Sequence, residues 1–529
     1  MPCPRTVFIL LIAVICGLPI MAEERYEANW ESLLKHKTPE WLEDSKFGVF
    51  AHWGPYTRAG SWTDNPNINW NNYYIYSFNG FYSLNKKDAR RITFEKRYGP
   101  ITSGAGYRDF CADFKAAEFD PDAWADLIKR SGAQYAGICA IHADGYAMWD
   151  SDLTAHSAGR TGPRRDILGE LFEAIRARGL KTIATLQHHR TYGQFKRIRE
   201  RLEKAEVEGV DLFDPDNADY YWFMGEEAEV AQKYRMLTSE VIEKYKPDML
   251  DVSGSAGKHA NPQAFFADYF NMALEEGKEV SVHNNGNFES GFGIYSFVNG
   301  GHRPQYLNTL WEDDVPSAKG WQDWPWWYGI EYKEPRDVVL HLCDLVARNG
   351  RLLLSMSPRP DGSFDPDQVS LLEGIGDWLG QNGEAIYGTR PWKVYAEGHI
   401  EPVFYTQKHP LDGRESPKLQ PDTSRFDSTD IRFTSKDNTL YAIQLAVPDN
   451  GITRIQSLGR ETKLSKSNRI LDVQLLGHGK VKFRRSQKHL EIELPKKLPN
   501  EWALAFRITV SEELVQRPEP LSGPQFTLN

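Results

Sequence analysis

A series of short β-like runs in this chain each ends on groups that handle protons and hydroxyls. His52 with Trp53, His142 with Asp144, His188 with His189, Asp251 with Ser253, Asn284 with Asn285, and Glu312 with Asp313 and Asp314 close these runs. Two carboxyl groups placed across a glycosidic bond can act as acid and base, while imidazoles, amides and indoles bind hydroxyls and apolar sugar faces. The pattern is the one expected of a sugar hydrolase. Each residue also has a plainer reading: a strand-end histidine satisfied inside the core, a turn at Asp144-Gly145, a local pairing of Glu312. His142, His188 and Asp251 could together ligate a metal. No compact ligand spacing, such as two histidines four apart on a helix, is present, so no metal or cofactor is expected.

The elements that must position these residues alternate. From about Phe47 to Tyr387, β-like runs follow amphipathic helical stretches. FGVFAHW reads as the first strand. AWADLIKRSGAQYAGICAIH reads as a helix, a Gly132 stop and a strand ending at His142. The same unit recurs in DILGELFEAIRARGLKTIATLQHH and in SEVIEKYKPDMLDVSG, followed by strands in VSVHNN, TLWEDD and RLLLSMSP. That many repeats suits an α/β fold of the (β/α)8 or TIM-barrel type, in which strand C-termini carry the working residues. A doubly wound open sheet is the alternative, but no glycine-rich turn follows an early strand. Trp62 to Arg108 then reads as a long loop on the catalytic face. After about Pro391 the helical period fades. Short alternating runs such as IRFTS, TLYAIQLAV and WALAFRITV, separated by turn residues, predict an antiparallel β-sandwich.

The expected organisation is residues 1–22 as a cleaved signal peptide, 23–392 as the barrel, 393–512 as the sandwich and 513–529 as a tail. Arg5, the apolar run Val7 to Cys16 and Met21-Ala22 carry the signal reading. It implies a secreted or periplasmic protein without a membrane span. The three cysteines beyond it, Cys111, Cys139 and Cys343, are widely spaced and read as buried free thiols. A formal charge of −10 gives no electrostatic reason to expect a nucleic acid partner. The 16 Trp and 24 Tyr supply flat apolar faces suited to sugar rings as well as to cores. Trp321, Trp324, Trp326, Trp327 and Tyr328 are expected to line the pocket entrance, with a packed loop core as the alternative.

Trp41 to Tyr56, WLEDSKFGVFAHWGPY, resembles the opening signature of the α-L-fucosidases, glycoside hydrolase family 29. The resemblance continues in FDPDAWADLIKRSGAQYAGICAIHADGY and GPRRDILGELFEAIRARGL, and is strongest in LVARNGRLLLSMSPRPDGSFDPDQ and IGDWLGQNGEAIYGTRPW. It extends to IRFTS, TLYAIQL and VQLLG near the C-terminus. It implies a catalytic barrel followed by a sandwich. It also implies release of α-L-fucose from glycan ends by a retaining double displacement, with an Asp nucleophile, a Glu acid/base and no metal or cofactor. By position Glu312 resembles the acid/base, His52 and His142 match sugar-binding histidines, and Trp70 matches a pocket tryptophan. The partner implied is a fucosylated or related glycan.

The departures from the family fall in the pocket. Its fourth strand typically ends Trp-Phe-Asp-Gly; here MLDVSG places Ser253 at the nucleophile position and Asp251 at the tryptophan. The paired histidines become His142 and Ala143, a glutamate becomes Asn69, and an arginine becomes Gly286. A serine hydroxyl is a poor nucleophile at an anomeric carbon, because it does not offset the positive charge that develops there. Strand residues two apart share a face, roughly 6.5 Å apart. Asp251 is therefore expected on the side of Ser253, one step deeper, with room for a water. Facing Glu312, it would move the carboxyl separation from the ~5–5.5 Å of retaining enzymes toward the ~6.5–9.5 Å of inverting ones. A bulge bringing Asp251 up to the nucleophile position is a second possibility. A glycan-binding protein that kept the fold and lost the chemistry is the alternative function. The altered pocket also leaves the sugar open between α-L-fucose and a related one.

Overall fold

The computed structural model describes residues 25–62, 78–222, 226–253, 260–285, 288–298, 309–319, 324–400, 423–462 and 468–514, with the strands 404–408 and 415–421. Eight strands close in sequence order into one barrel: β1 (Phe47–Ala51), β2 (Tyr135–Ile141), β3 (Lys181–Leu186), β4 (Met249–Val252), β5 (Ser281–Asn284), β6 (Ile294–Val298), β7 (Trp311–Pro316) and β8 (Gly350–Met356). Each neighbouring pair is parallel, including the closing pair β1–β8. Parallel neighbours need a long crossover, and amphipathic helices supply most of them. These include α1 (Pro121–Arg130), α2 (Ile167–Ala177), α3 (Thr191–Lys204), α4 (Glu227–Tyr245), α5 (Pro262–Glu275), α6 (Pro335–Ala347) and α7 (Pro366–Asn382).

Helix starts follow the chemistry of the first turn. Asp120 accepts from the backbone N–H groups of Asp122 and Ala123 ahead of Pro121, and Asp166 caps Gly169. β6 is the one barrel strand the sequence reading missed. No helix brackets it among the described residues, and a short alternating run between glycine-rich turns carries little signal alone. At the base of the barrel, a Cβ on Gly48 would lie 2.2 Å from the Tyr135 ring, so only glycine lets that ring cross the lumen.

From Arg390 the chain forms a sandwich. One sheet has β9 (Arg390–Glu397), β12 (Ile431–Lys436), β13 (Thr439–Gln444), β15 (Ile470–Leu475), β16 (Gly479–Lys480) and β19 (Leu504–Val510). The other has β14 (Ile452–Ile455), β17 (Phe483–Arg485) and β18 (Leu490–Glu493), and β10 (Phe404–Lys408) pairs with β11 (Glu415–Pro421) as a hairpin. β9 straddles the expected 392/393 junction. Trp392, Phe433, Leu475, Leu490 and Phe506 fill the core between the sheets. Cys111, Cys139 and Cys343 are free and buried. Among the described residues no helix is long and apolar enough to cross a membrane.

The sandwich is fastened to the barrel by a buried ionic link. Asp344 on α6 pairs with Arg348, 2.8 Å away, and with Arg432 on β12, which is fully buried. Burial alone would raise the Asp344 pKa, but the two guanidinium groups outweigh it and hold the carboxyl well below the usual range. Asp344→Asn should therefore remove the main counter-charge of two buried cations, with Arg432 keeping only Asp430 at 3.9 Å, and destabilise the protein by about 3–5 kcal/mol. Because the folded-state pKa is depressed, the carboxylate's contribution is present above about pH 4 and is lost as the pH falls below it. Melting curves of wild type and variant should differ strongly at pH 7 and draw together progressively as the pH falls further below 4; equal melting at pH 7 would remove this role.

Candidate active site

The deepest functional layer of the barrel is ionic. On β7, Glu312 and Asp314 face the lumen, whereas Asp313 faces α6 and lies 2.7 Å from His341. Glu312 has no exposed surface. Its Oε1 is 2.8 Å from His283 Nε2, its Oε2 is 3.2 Å from Arg351 Nε, and the Tyr135 hydroxyl donates to it. The Arg351 guanidinium lies over the Tyr135 ring at 4.8 Å and donates to the Leu42 carbonyl at 2.8 Å. Burial pushes the Glu312 pKa up, but His283 and Arg351 pull it down further, so the group stays ionised. His283 is the complement: burial lowers its pKa, but Glu312 and Asp251 raise it more, which favours the imidazolium. This corrects the expectation for Glu312. A carboxylate held ionised by its partners beneath the pocket is poorly placed to give a proton to a sugar.

One step toward the mouth lie Asp251 and Ser253. β4 pairs with β3 and β5 without a register shift, so no bulge lifts Asp251 to the position of Ser253. Asp251 is 4% exposed and faces the lumen, one step below Ser253 as strand alternation requires. Its Oδ1 is 3.9 Å from His283 Nδ1. His283 therefore stands between Asp251 and Glu312, and the expected pairing of those two carboxyls across a water does not form. Ser253 is partly exposed, and its Oγ accepts from Asn285 Nδ2 at 3.2 Å. The Asp251 pKa is raised, chiefly by burial and further by Glu312, with His283 opposing. Asp314, on another wall of the lumen, is raised well above the ordinary range by burial and then by Asp251, Glu312 and Asp313.

The mouth is built from rings. His52 and His142 lie 5.8 Å apart between centroids; Trp324 packs 4.8 Å from His52 and Tyr56 lies 5.6 Å from His142. His52 Nδ1 is anchored on Ser355 Oγ at 2.9 Å. Burial lowers its pKa to about 3 and lowers that of His142 as well, so both present neutral imidazoles. Ala143, where the family pattern has a second histidine, packs against Tyr56. The Tyr56 hydroxyl, Asp251 Oδ1, Asp314 Oδ1 and Asn285 Oδ1 are buried without hydrogen-bond partners among the described residues. Each such orphan costs about 1–3 kcal/mol. Several within one lumen mark a place where a ligand or water supplies the missing bonds.

Asp144 closes one side of the mouth. It accepts from the Tyr107 hydroxyl at 2.8 Å, tying the segment after β1 to the end of β2. Burial pushes its pKa up to about 7, with Tyr107 and the Tyr146 N–H opposing. A raised folded-state pKa means the native protein holds a proton that the unfolded chain has released. Stability is then lost as the pH rises from about 4 to 7, by up to ~1.4 kcal/mol per pH unit. Asp144→Asn, which does not titrate, should melt higher than wild type at pH 8 and show no such advantage at pH 4; a constant difference at both pH values would contradict the assignment.

Other expected contacts lie elsewhere. Trp53 faces the helical layer, fully buried against Phe114, Phe119 and Trp124. It belongs to the core rather than the pocket, because it and His52 point to opposite sides of the barrel wall. His188 stacks on Tyr234 at 4.3 Å and contacts the Tyr234 carbonyl at 3.2 Å, a structural histidine. His189, not His188, is the electrostatic neighbour of His142. Trp326 is pinned by Asp365 at 2.6 Å, and Trp327 packs beside Gly60 and against the main core. Trp324 alone of the described members of that cluster reaches His52. Trp70, Trp321, Asn69 and Gly286 lie outside the described residues. Sequence reasoning missed His283, Arg351 and Tyr135, whose signal was only that they alternate inward on their strands.

A closed (β/α)8 barrel with lumenal carboxyls, neutral imidazoles and an indole at its mouth is an arrangement suited to a glycosidase. The α-L-fucosidase family model matches residues 17–384, and the α-L-fucosidase C-terminal domain model matches residues 421–509. The chain belongs to the α-L-fucosidase family. It is 25% identical over 460 residues to the tissue α-L-fucosidase of Rattus norvegicus, covering 85% of both chains. It is 26% identical over 526 residues to the plasma α-L-fucosidase of Homo sapiens, covering 93% of this chain and 94% of that one. The structure of the Thermotoga maritima α-fucosidase in complex with fucose superposes with a TM-score of 0.68 at 26% identity, covering 92% of this chain and all of that one.

Proposed function

We propose that this chain is an exo-acting glycosidase that removes terminal α-L-fucose, or a closely related sugar, from glycans by inversion. Asp251 acts as base toward a water held by Ser253, and Asp314 is the protonated acid. The observation that carries the reading is the placement of Asp251 in the lumen directly below Ser253, under a mouth of neutral imidazoles. Asp251 disfavours the ionisation of Asp314, and two carboxyls whose environments push their pKa values apart serve as one acid and one base. His52 and His142, being neutral, suit sugar hydroxyls, and Trp324 offers an apolar face. The fucose bound by the Thermotoga maritima relative supports the choice of sugar.

The test is release of 4-nitrophenol from its α-L-fucoside together with a panel of fucosylated and sulfated glycans, with the first-formed anomer followed by NMR. A β-configured first product is expected. An α-configured one would exclude the water mechanism and point to a covalent intermediate. The serine at the usual nucleophile position favours a second reading, a glycan-binding protein. Measurable binding without turnover across the whole panel would establish it.

A further inference from the structure

We propose that His52, Cys139 and His142 form a binding site for a borderline-soft divalent cation, zinc(II) above all, at the neck of the barrel lumen. One ring nitrogen from each histidine and the Cys139 Sγ all lie within 4.8 Å of one another, and all three residues are buried. A thiol with two imidazoles is a donor set that zinc takes, with a fourth position left for water.

The fold builds this cluster through an irregularity. Residues 139 and 142 are three apart, so on a regular strand their side chains would point to opposite faces. The register of β2 against β3 shifts between Cys139 and Ile141, and the shift turns His142 to the same side as Cys139. His52 arrives from the adjacent β1 end. Its Nδ1 is held by Ser355 Oγ at 2.9 Å, which fixes the ring. The Gln187 side chain bonds to His142. Metal-bound imidazoles are oriented by outer partners of this kind. Asp251 and Asp314 are the acidic neighbours of the thiol, and a cation would draw their protons off.

Binding of the metal does not depend on the hydrolase reading. Its consequence, that the ion competes with a sugar for His52 and His142, rests on that reading. The experiment therefore reads the metal directly. Full-length, tag-free protein is titrated with cobalt(II) and then zinc(II), by absorbance and calorimetry. One equivalent of cobalt should give a thiolate-to-metal charge-transfer band in the near ultraviolet, and zinc should displace it. Cys139→Ser should abolish the band and weaken zinc by at least about 100-fold, and His142→Gln should weaken zinc comparably with an unchanged melting curve. No charge-transfer band in wild type, or equal zinc affinity in Cys139→Ser, overturns the site. If Cys139→Ser does not fold, the His142→Gln titration decides, and unchanged affinity there overturns it equally.

Discussion

Asp251→Asn is expected to lower kcat/KM by about 10²–10⁴-fold while leaving the melting temperature unchanged or slightly higher. Asparagine keeps the shape of the side chain and removes only its capacity to take a proton. The carboxyl is buried and its pKa is raised by that burial, so the native state gains little from its charge. A loss carried by kcat rather than KM would place the residue in the chemical step. The acid limb of the wild-type kcat/KM profile should reflect the same carboxyl and lie above the ordinary aspartate range, because its folded-state pKa is raised. Full activity in Asp251→Asn would eliminate it as base and leave Ser253 and its water without an activating group.

Glu312→Gln has the opposite signature. Here the charge itself is structural, because Arg351 and His283 are fully buried beside it. Removing Glu312's charge takes the anion from Arg351 and leaves His283 only the more distant Asp251, at a cost of about 3–5 kcal/mol. That corresponds to a fall in melting temperature on the order of 5–10 °C. Activity should fall with stability and recover in part as the temperature is lowered. His283 loses one of the two carboxyls that raise its pKa, so the acid limb of the activity profile should also move. A variant with wild-type melting behaviour and no turnover would return Glu312 to a direct part in proton transfer.

The two variants separate a chemical carboxyl from a supporting one on neighbouring layers of a single lumen. Strand alternation makes the layering, since Glu312 and Asp314 differ by one step on β7. The ionic cluster of Arg351, Glu312 and His283 reaches up to Asp251 through one imidazole. This links the rigid base of the barrel to the group proposed to act on water. The barrel interior of this protein is therefore mixed: the ionic cluster sits among Phe50, Ile183, Met249, Ile294 and Leu353, where branched apolar residues usually dominate alone.

Much of the architecture was legible in the chain. Seven of the eight barrel strands announced themselves as apolar runs between amphipathic helices, and the sandwich as short alternating runs between turns. The shared face of Asp251 and Ser253 followed from a period of two, a local property of any extended backbone. β6 escaped because its connections carry no helical period. Trp53 and His188 were misplaced because a strand-end position does not tell which side of the wall a side chain takes once the strand has ended.

What the local pattern could not contain was the pairing of side chains across the lumen. His283 comes between Asp251 and Glu312 because β4, β5 and β7 are brought around one axis when the barrel closes. That closure is a long-range event, absent from any window of neighbouring residues. The charge on Glu312, the proton on Asp314 and the neutrality of His52 depend on burial and on partners far away in sequence. The order of residues along the chain therefore settled which groups line one wall of the barrel. Only the closed barrel decided which of them stay ionised, because desolvation and Coulomb forces act through space and not along the backbone.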